Sequence, residues 1–182
     1  PGIEIAPANR ADLGAIVACL ARNHARYAFA PVWSARDLEG DAPTPGPAPG
    51  DFLVARRGSG IVGCVAMWDQ RAIRQVIVAG YAPRLARWRR FVNLAASVLG
   101  IPRLPLAGSV LAQAFLSHFA VDNDDASIAL ALLGAARTAA AARGLDVLLL
   151  GVAEGNPMLA PIARTFRHRD YRSRLYLVHW PD

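Results

Sequence analysis

Two apolar runs, residues 110–121 and 146–152, flank an Ala/Leu-rich segment at 124–143 that opens with acids and ends with Arg143 followed by Gly144. Acids at a helix start and a cation at its end complement the helix dipole, and glycine suits the left-handed turn that closes a helix. The middle segment therefore reads as a helix between two strands, and such a crossover lays the strands parallel. The second run, DVLLLGV, has no polar alternation beyond its first residue, which predicts a central strand with both faces covered. A parallel pair bridged by a helix commits the chain to an α/β architecture.

The remaining pattern adds elements on either side of this unit. Residues 3–6 read as a strand, and Asn9 is placed to cap a helix whose Leu13, Ile16, Val17 and Leu20 share a face. Residues 27–40, with Tyr27, Phe29 and Trp33, are weakly helical or irregular. In 41–50, Pro43, Pro45, Pro47 and Pro49 alternate and remove ladder donors, predicting an extended surface loop: either a lid on an acceptor side or an ordinary connection. Residues 51–56 and 61–68 flank Arg57-Gly58-Ser59-Gly60 and predict a hairpin, so the sheet is partly antiparallel. An insertion at about 72–106 holds a predicted helix at 83–99, stopped by Gly100 and Pro102, with Leu85, Trp88, Val92, Ala95 and Leu99 on one face. Asn156-Pro157 opens a last helix with Leu159, Ile162, Ala163 and Phe166 on one side, and 173–180 reads as a closing strand.

Length and charge narrow the class. At 182 residues, 54% hydrophobic and 19% charged, residues 1–182 are expected to form one packed domain. All 20 basic residues are arginine; against 14 acids they give +6, which attracts phosphates and acidic surfaces. A nucleic-acid partner is not expected, because the charge comes without interleaved aromatics or a recognisable motif. Cys19 and Cys64 show neither metal-ligand spacing nor a disulfide framework, so no metal is expected and free buried thiols are. No charged leader precedes an apolar segment. The longest uncharged run, 104–121, is interrupted by Pro105, Gly108, Ser109, Gln113, Ser117 and His118, so a soluble cytoplasmic protein is expected.

The order β-α-(α)-β-β-β-α-β-α-β resembles the GNAT superfamily of acyl-CoA-dependent N-acyltransferases. Four stretches carry the resemblance. IEIAPA with Asp12-Leu13 is similar to the family's first strand and helix, and DFLVARRGSGIVGCVAMW to its second and third strands. LSHFAVDND resembles the fourth strand entering the acyl-CoA loop, and LLLGVAEGNP the fifth, with Leu150, Val152 and Asn156 at the family's spacing. The resemblance implies a mixed central sheet with helices on both faces, its fourth and fifth strands parallel and splayed, and acetyl-CoA as co-substrate. By position, the backbone of Phe119, Ala120 and Val121 would pair with the pantetheine arm. The diphosphate would lie at the helix start, over Ser127, Ile128 and Ala129. Asn156 either holds the pantetheine or caps the last helix. The family's R/Q-x-x-G-x-G/A loop stands here as Asp124-Asp125-Ala126-Ser127-Ile128-Ala129, and its carboxylates oppose a diphosphate.

Transfer of an acyl group to an amine needs a neutral nucleophile, a polarised thioester carbonyl and a proton for the leaving thiolate. Glu154, next to the splay, is the first candidate base; otherwise it is a solvated loop carboxylate. His118 is either an alternative base in the cleft or a core histidine. The family's tyrosine position holds Ala163, so Tyr171 or Tyr176 would substitute as general acid or else pack on the final strands. The leading expectation is thus an acetyltransferase acting on an amine of a small molecule or peptide; the alternative is a silent GNAT-like binding module. On the insertion helix, Arg84, Arg87, Arg89 and Arg90 border the apolar stripe, either as the solvated side of a core-packed helix or as a contact for an anionic membrane or acidic acceptor.

Overall fold

In a computed structural model, residues 2–40, 46–99, 103–174 and 176 are described. Strand β1 (Glu4–Pro7) leads through an Asn9-capped 3-10 turn into helix α1 (Leu13–His24). The Asn9 side chain accepts from Ala11 N at 2.8 Å, while Asp12 accepts from Asn9 N at 2.9 Å and pairs with Arg56 at 2.7 Å. These bonds satisfy donors that a helix start leaves bare, and the Arg56 guanidinium holds the Asp12 carboxyl below its usual range.

Strands β2 (Phe52–Arg57) and β3 (Gly60–Trp68) form the expected hairpin, with Gly58 in the left-handed region at φ 61°. The insertion contributes α2 (Pro83–Leu99). Then follow β4 (Gln113–Val121), α3 (Ala126–Ala142), β5 (Val147–Leu150) and α4 (Leu159–Thr165). The sheet order is β1-β2-β3-β4-β5, antiparallel throughout except for the parallel β4–β5 pair. The fold is therefore a mixed α/β sheet, as the crossover pattern requires.

Each sheet face has its own core. On one, α3 packs Ile128, Ala129, Leu132 and Ala136 against Ala55, Val65, Ala114 and Leu116; on the other, α1 packs Ile16, Cys19 and Leu20 against Phe52, Val54 and Cys64. Gly63 lets β3 approach α3 closely, since an added Cβ would stand 3.0 Å from Ile128 Cγ2 and from Leu132 Cδ1. Cys19 and Cys64 are buried and free.

Two expectations need correction, and a third lies mostly outside the described residues. Strand β5 is at the sheet edge among the described residues, and its four residues are half-buried, so its apolar run does not mark a strand covered on both faces. The closing strand expected at 173–180 falls mostly outside the described residues, and Ser173, Arg174 and Tyr176 have no regular structure. Helix α2 has the expected bounds but is not core-packed: Leu85 and Trp88 are exposed, Val92 and Ala95 half-buried, and only Ala96 is buried among the described side chains. The 3.6-residue pattern identifies an apolar face and is silent on what covers it. Of the proline segment, 41–45 lie outside the described residues and 49–51 form a 3-10 turn. Among the described residues no helix is long and apolar enough to cross a membrane.

Candidate functional site

The parallel strands pair only from Gln113↔Val147 to Leu116↔Leu150. Strand β4 continues five residues further, to Val121, whereas β5 stops at Leu150 and the chain turns away. Beyond Leu116 that edge of β4 has no strand partner among the described residues, leaving main-chain groups available to an incoming extended ligand. A cleft of about 210 Å³ opens there, with Phe119 on one wall and Gly151, Val152, Ala153 and Asn156 on the other. His24 and Tyr27, at and just beyond the end of α1, complete it. A narrower pocket continues from the same residues past Ala120 and Val121 to Asp124.

A bulge in β4 shapes the cleft. Cys64 pairs with Ala120 but Ala66 with Ser117, so β4 carries one extra residue across this stretch. His118, at φ 52°, occupies the left-handed region that a non-glycine residue adopts at a cost. The bulge directs His118 away from the cleft lining: its ring packs 4.4 Å from Trp33 and 5.3 Å from Phe52, centroid to centroid, and its Nδ1 is 2.9 Å from Ser117 Oγ. Burial, aided by nearby His24, brings its pKa down to about 4, and its buried Nε2 has no hydrogen-bond partner among the described residues. His118 is thus half-buried against Trp33 and Phe52 and absent from the cleft lining.

His24 Nε2 lies 3.0 Å from the Phe119 carbonyl oxygen; because a carbonyl only accepts, this nitrogen carries the proton. The Tyr27 hydroxyl is buried with no hydrogen-bond partner among the described residues, and Arg26 lies 5.0 Å from the ring centroid. Neither His24 nor Tyr27 was predicted as a site residue, for they lie about 100 residues from β4 in sequence. Asn156 lines the cleft, and its Oδ1 accepts from Met158 N at 2.8 Å just ahead of α4, whose N-cap is Met158 itself, without a side-chain cap bond. Glu154 follows the wall residues but points outward, 90% exposed and 3.9 Å from Arg172. Tyr171 is 91% exposed and lies in no strand, so it neither packs nor reaches the cleft; Tyr176 is also exposed. Ala163 sits half-buried on α4.

At the start of α3, Asp125 Oδ1 accepts from Ser127 N at 2.9 Å and from Ile128 N at 3.4 Å. Two donors that an anion would use are thus already engaged. Ile128 and Ala129 are buried in the core beneath them. Three arginines neutralise the acids of this turn. Arg22 holds Asp122 through paired 2.8 Å bonds, Arg26 holds Asp124 in a two-bond fork, and Arg57 stands 3.7 Å from Asp125. For Asp122, burial opposes ionisation, but bonds from Arg22 and Asn23 outweigh it and keep the carboxyl below its usual range. Asp124 is held down by Arg26, and Asp125 by the Ser127 hydroxyl and the backbone donors.

No protein-family model and no curated protein matches the sequence. Solved structures do. A ribosomal-protein-alanine N-acetyltransferase from Brucella melitensis biovar Abortus 2308 aligns over 98% of this chain and 100% of its own, with TM-score 0.60 and 17% identity. A predicted acetyltransferase with acetyl-CoA from Clostridium acetobutylicum aligns over 96% of each chain, with TM-score 0.56 and 11% identity. An aminoglycoside acetyltransferase from an uncultured soil metagenomic sample, in complex with sisomicin, covers 99% of this chain and 97% of its own, with TM-score 0.55 and 12% identity. With its mixed five-stranded sheet, its parallel pair parting beyond Leu116 and this likeness over nearly the whole chain, the protein has the fold of the GNAT superfamily.

Proposed function

We propose that the protein is an acyltransferase that moves an acetyl or other acyl group from acyl-CoA to an amine of a small molecule or peptide. The observation that carries this reading is the parting of β4 and β5 beyond Leu116 and Leu150, with the cleft it opens. The edge of β4 at Phe119, Ala120 and Val121, without a strand partner among the described residues, suits the pantetheine amides once the Phe119 carbonyl exchanges its bond from His24, and the wall at Gly151–Ala153 is small enough to pass a thin chain. The acetyltransferase neighbours, one with acetyl-CoA and one with an aminoglycoside, support the same donor and an amine acceptor.

In direct transfer the amine nitrogen bonds to the thioester carbonyl carbon, the C–S bond breaks, the amine loses a proton and the departing thiolate gains one. Tyr27, which lines the cleft and whose buried hydroxyl has no hydrogen-bond partner among the described residues, is proposed to supply the thiolate proton. Glu154 is proposed to take the amine proton through water, since its carboxylate faces solvent beside the wall. The diphosphate fits less readily than the arm. It must displace the Asp125 side chain from Ser127 N and Ile128 N, or draw Arg26 and Arg57 from their carboxylates.

That occupied helix start favours one second reading, a silent module that keeps the cleft but does not hold CoA. Thermal melting with acetyl-CoA, desulfo-CoA and 3′,5′-ADP separates the two, because a ligand bound only by the folded state raises the melting temperature. The acyltransferase reading requires a rise with both CoA forms that exceeds the rise with the nucleotide alone. No rise with acetyl-CoA overturns it.

A further inference from the structure

Between Asp69 and Asp122 the chain has seven arginines and no acidic residue. This stretch carries +7, so the remainder carries −1 of the net +6: the positive charge of the protein is concentrated at residues 71–103. Helix α2, within this stretch, is turned outward. Asn93 and Arg89 face the rest of the insertion, bonding the Leu104 carbonyl at 2.9 and 3.0 Å, with Ala96 buried beside them. The large apolar side chains point the other way: Trp88 is 58% exposed, Phe91 62%, Leu94 79% and Val98 87%. Their spacing of three to four residues puts them on one side of the helix, and Trp88 and Phe91 form a ring pair at 5.4 Å. Exposed Arg84, Arg87 and Arg90 border this side along its N-terminal half. Among the described residues no helix or strand packs on α2 beyond marginal contact.

We propose that the outward face of α2 docks on an anionic phospholipid surface. Charge decides the occupant. A second copy meeting this face would bring two stretches of +7 together with no acid from either, whereas phospholipid headgroups supply the missing negative charge. An interfacial helix of this kind lies in the membrane plane, with arginines at the phosphates and Trp88, Phe91, Leu94 and Val98 at the acyl boundary. The docking is independent of CoA binding, because the face lies outside the cleft lining.

Co-sedimentation of the full chain with phosphatidylcholine vesicles, with and without phosphatidylglycerol, tests the proposal. The protein is expected to partition onto the anionic vesicles only, less so as salt is raised, and with a blue shift of tryptophan emission that Trp88→Phe removes. Replacing Arg84, Arg87 and Arg90 together by Gln is expected to weaken partitioning about 100-fold, from the contribution of each arginine near such a surface. Replacing Phe91, Leu94 and Val98 together by Ser is expected to weaken it at least as much. These side chains are exposed, so an unchanged melting temperature verifies that each variant folds. Equal partitioning onto neutral vesicles, none onto anionic ones, or undiminished binding by the apolar variant overturns the proposal. So does concentration-dependent dimerisation abolished by the same substitutions, which assigns the face to a second copy.

Discussion

Asp125 links the stability of α3 to the affinity of the adjoining cleft, and its replacement separates the two. Its carboxylate caps the helix through Ser127 N at 2.9 Å and Ile128 N at 3.4 Å, while standing where a diphosphate would settle. Asp125→Ala removes cap and charge together; loss of an N-cap costs about 1 kcal/mol, which for a domain of this size lowers the melting temperature by about 2–4 °C. Asp125→Ser keeps a hydroxyl acceptor and removes only the charge, so its melting temperature is expected to stay within about 2 °C of the parent. Repulsion between a carboxylate and a diphosphate about 6 Å away at a partly screened surface is on the order of 1 kcal/mol. Its removal should therefore tighten acetyl-CoA binding about 5-fold in Asp125→Ser. Calorimetric titration of both variants and the parent reads the affinities, and differential scanning reads the melting temperatures. An Asp125→Ser protein that binds acetyl-CoA no more tightly than the parent would refute the diphosphate placement, whatever its stability.

Three further outcomes follow from the same geometry. His118 has a folded pKa of about 4 against an ordinary 6.5, so the unfolded chain binds more protons between these values: stability is full above pH 6.5 and declines by on the order of 3 kcal/mol toward pH 4. His118→Phe, which retains the stack on Trp33 and Phe52, should flatten this acid slope in melts from pH 7 to 4; an unchanged slope contradicts the burial argument. Gly63→Ala places a methyl 3.0 Å from Ile128 and Leu132 and should cost about 1–3 kcal/mol in urea unfolding, whereas an unshifted midpoint means that α3 yields freely. Tyr27→Phe removes an unpartnered buried hydroxyl and should leave stability equal or slightly higher while lowering kcat about 100-fold; parallel measurement of Glu154→Gln shows whether that carboxylate also acts, and parent-like turnover in both discards the proton assignments.

The sheet was legible in the sequence wherever a pattern is local. The hairpin around Gly58 and the crossover through α3 are written in consecutive residues, and the α2 bounds follow from Pro83, Gly100 and Pro102. Features that depend on distant partners were not legible. The β4 bulge arises from mismatch with β3, and simple alternation without it assigns His118 to the cleft. Arg22, Arg26 and Arg57 neutralise Asp122, Asp124 and Asp125 from across the fold, so the loop acids read as an uncompensated cluster when only neighbours are counted. His24 and Tyr27 reach Phe119 by the same long-range route. Strand β5, at the sheet edge among the described residues, misled for another reason: a short apolar run there looks like one buried on both sides.

The most direct measurement is nitrogen-proton chemical-shift mapping of the labelled protein titrated with acetyl-CoA and, separately, with 3′,5′-ADP. Amides from 117–121 and 151–156 are expected to move with acetyl-CoA and to stay fixed with the nucleotide, which lacks the pantetheine arm. Acetyl-CoA shifts confined to other regions, with these two segments unmoved, would contradict the account.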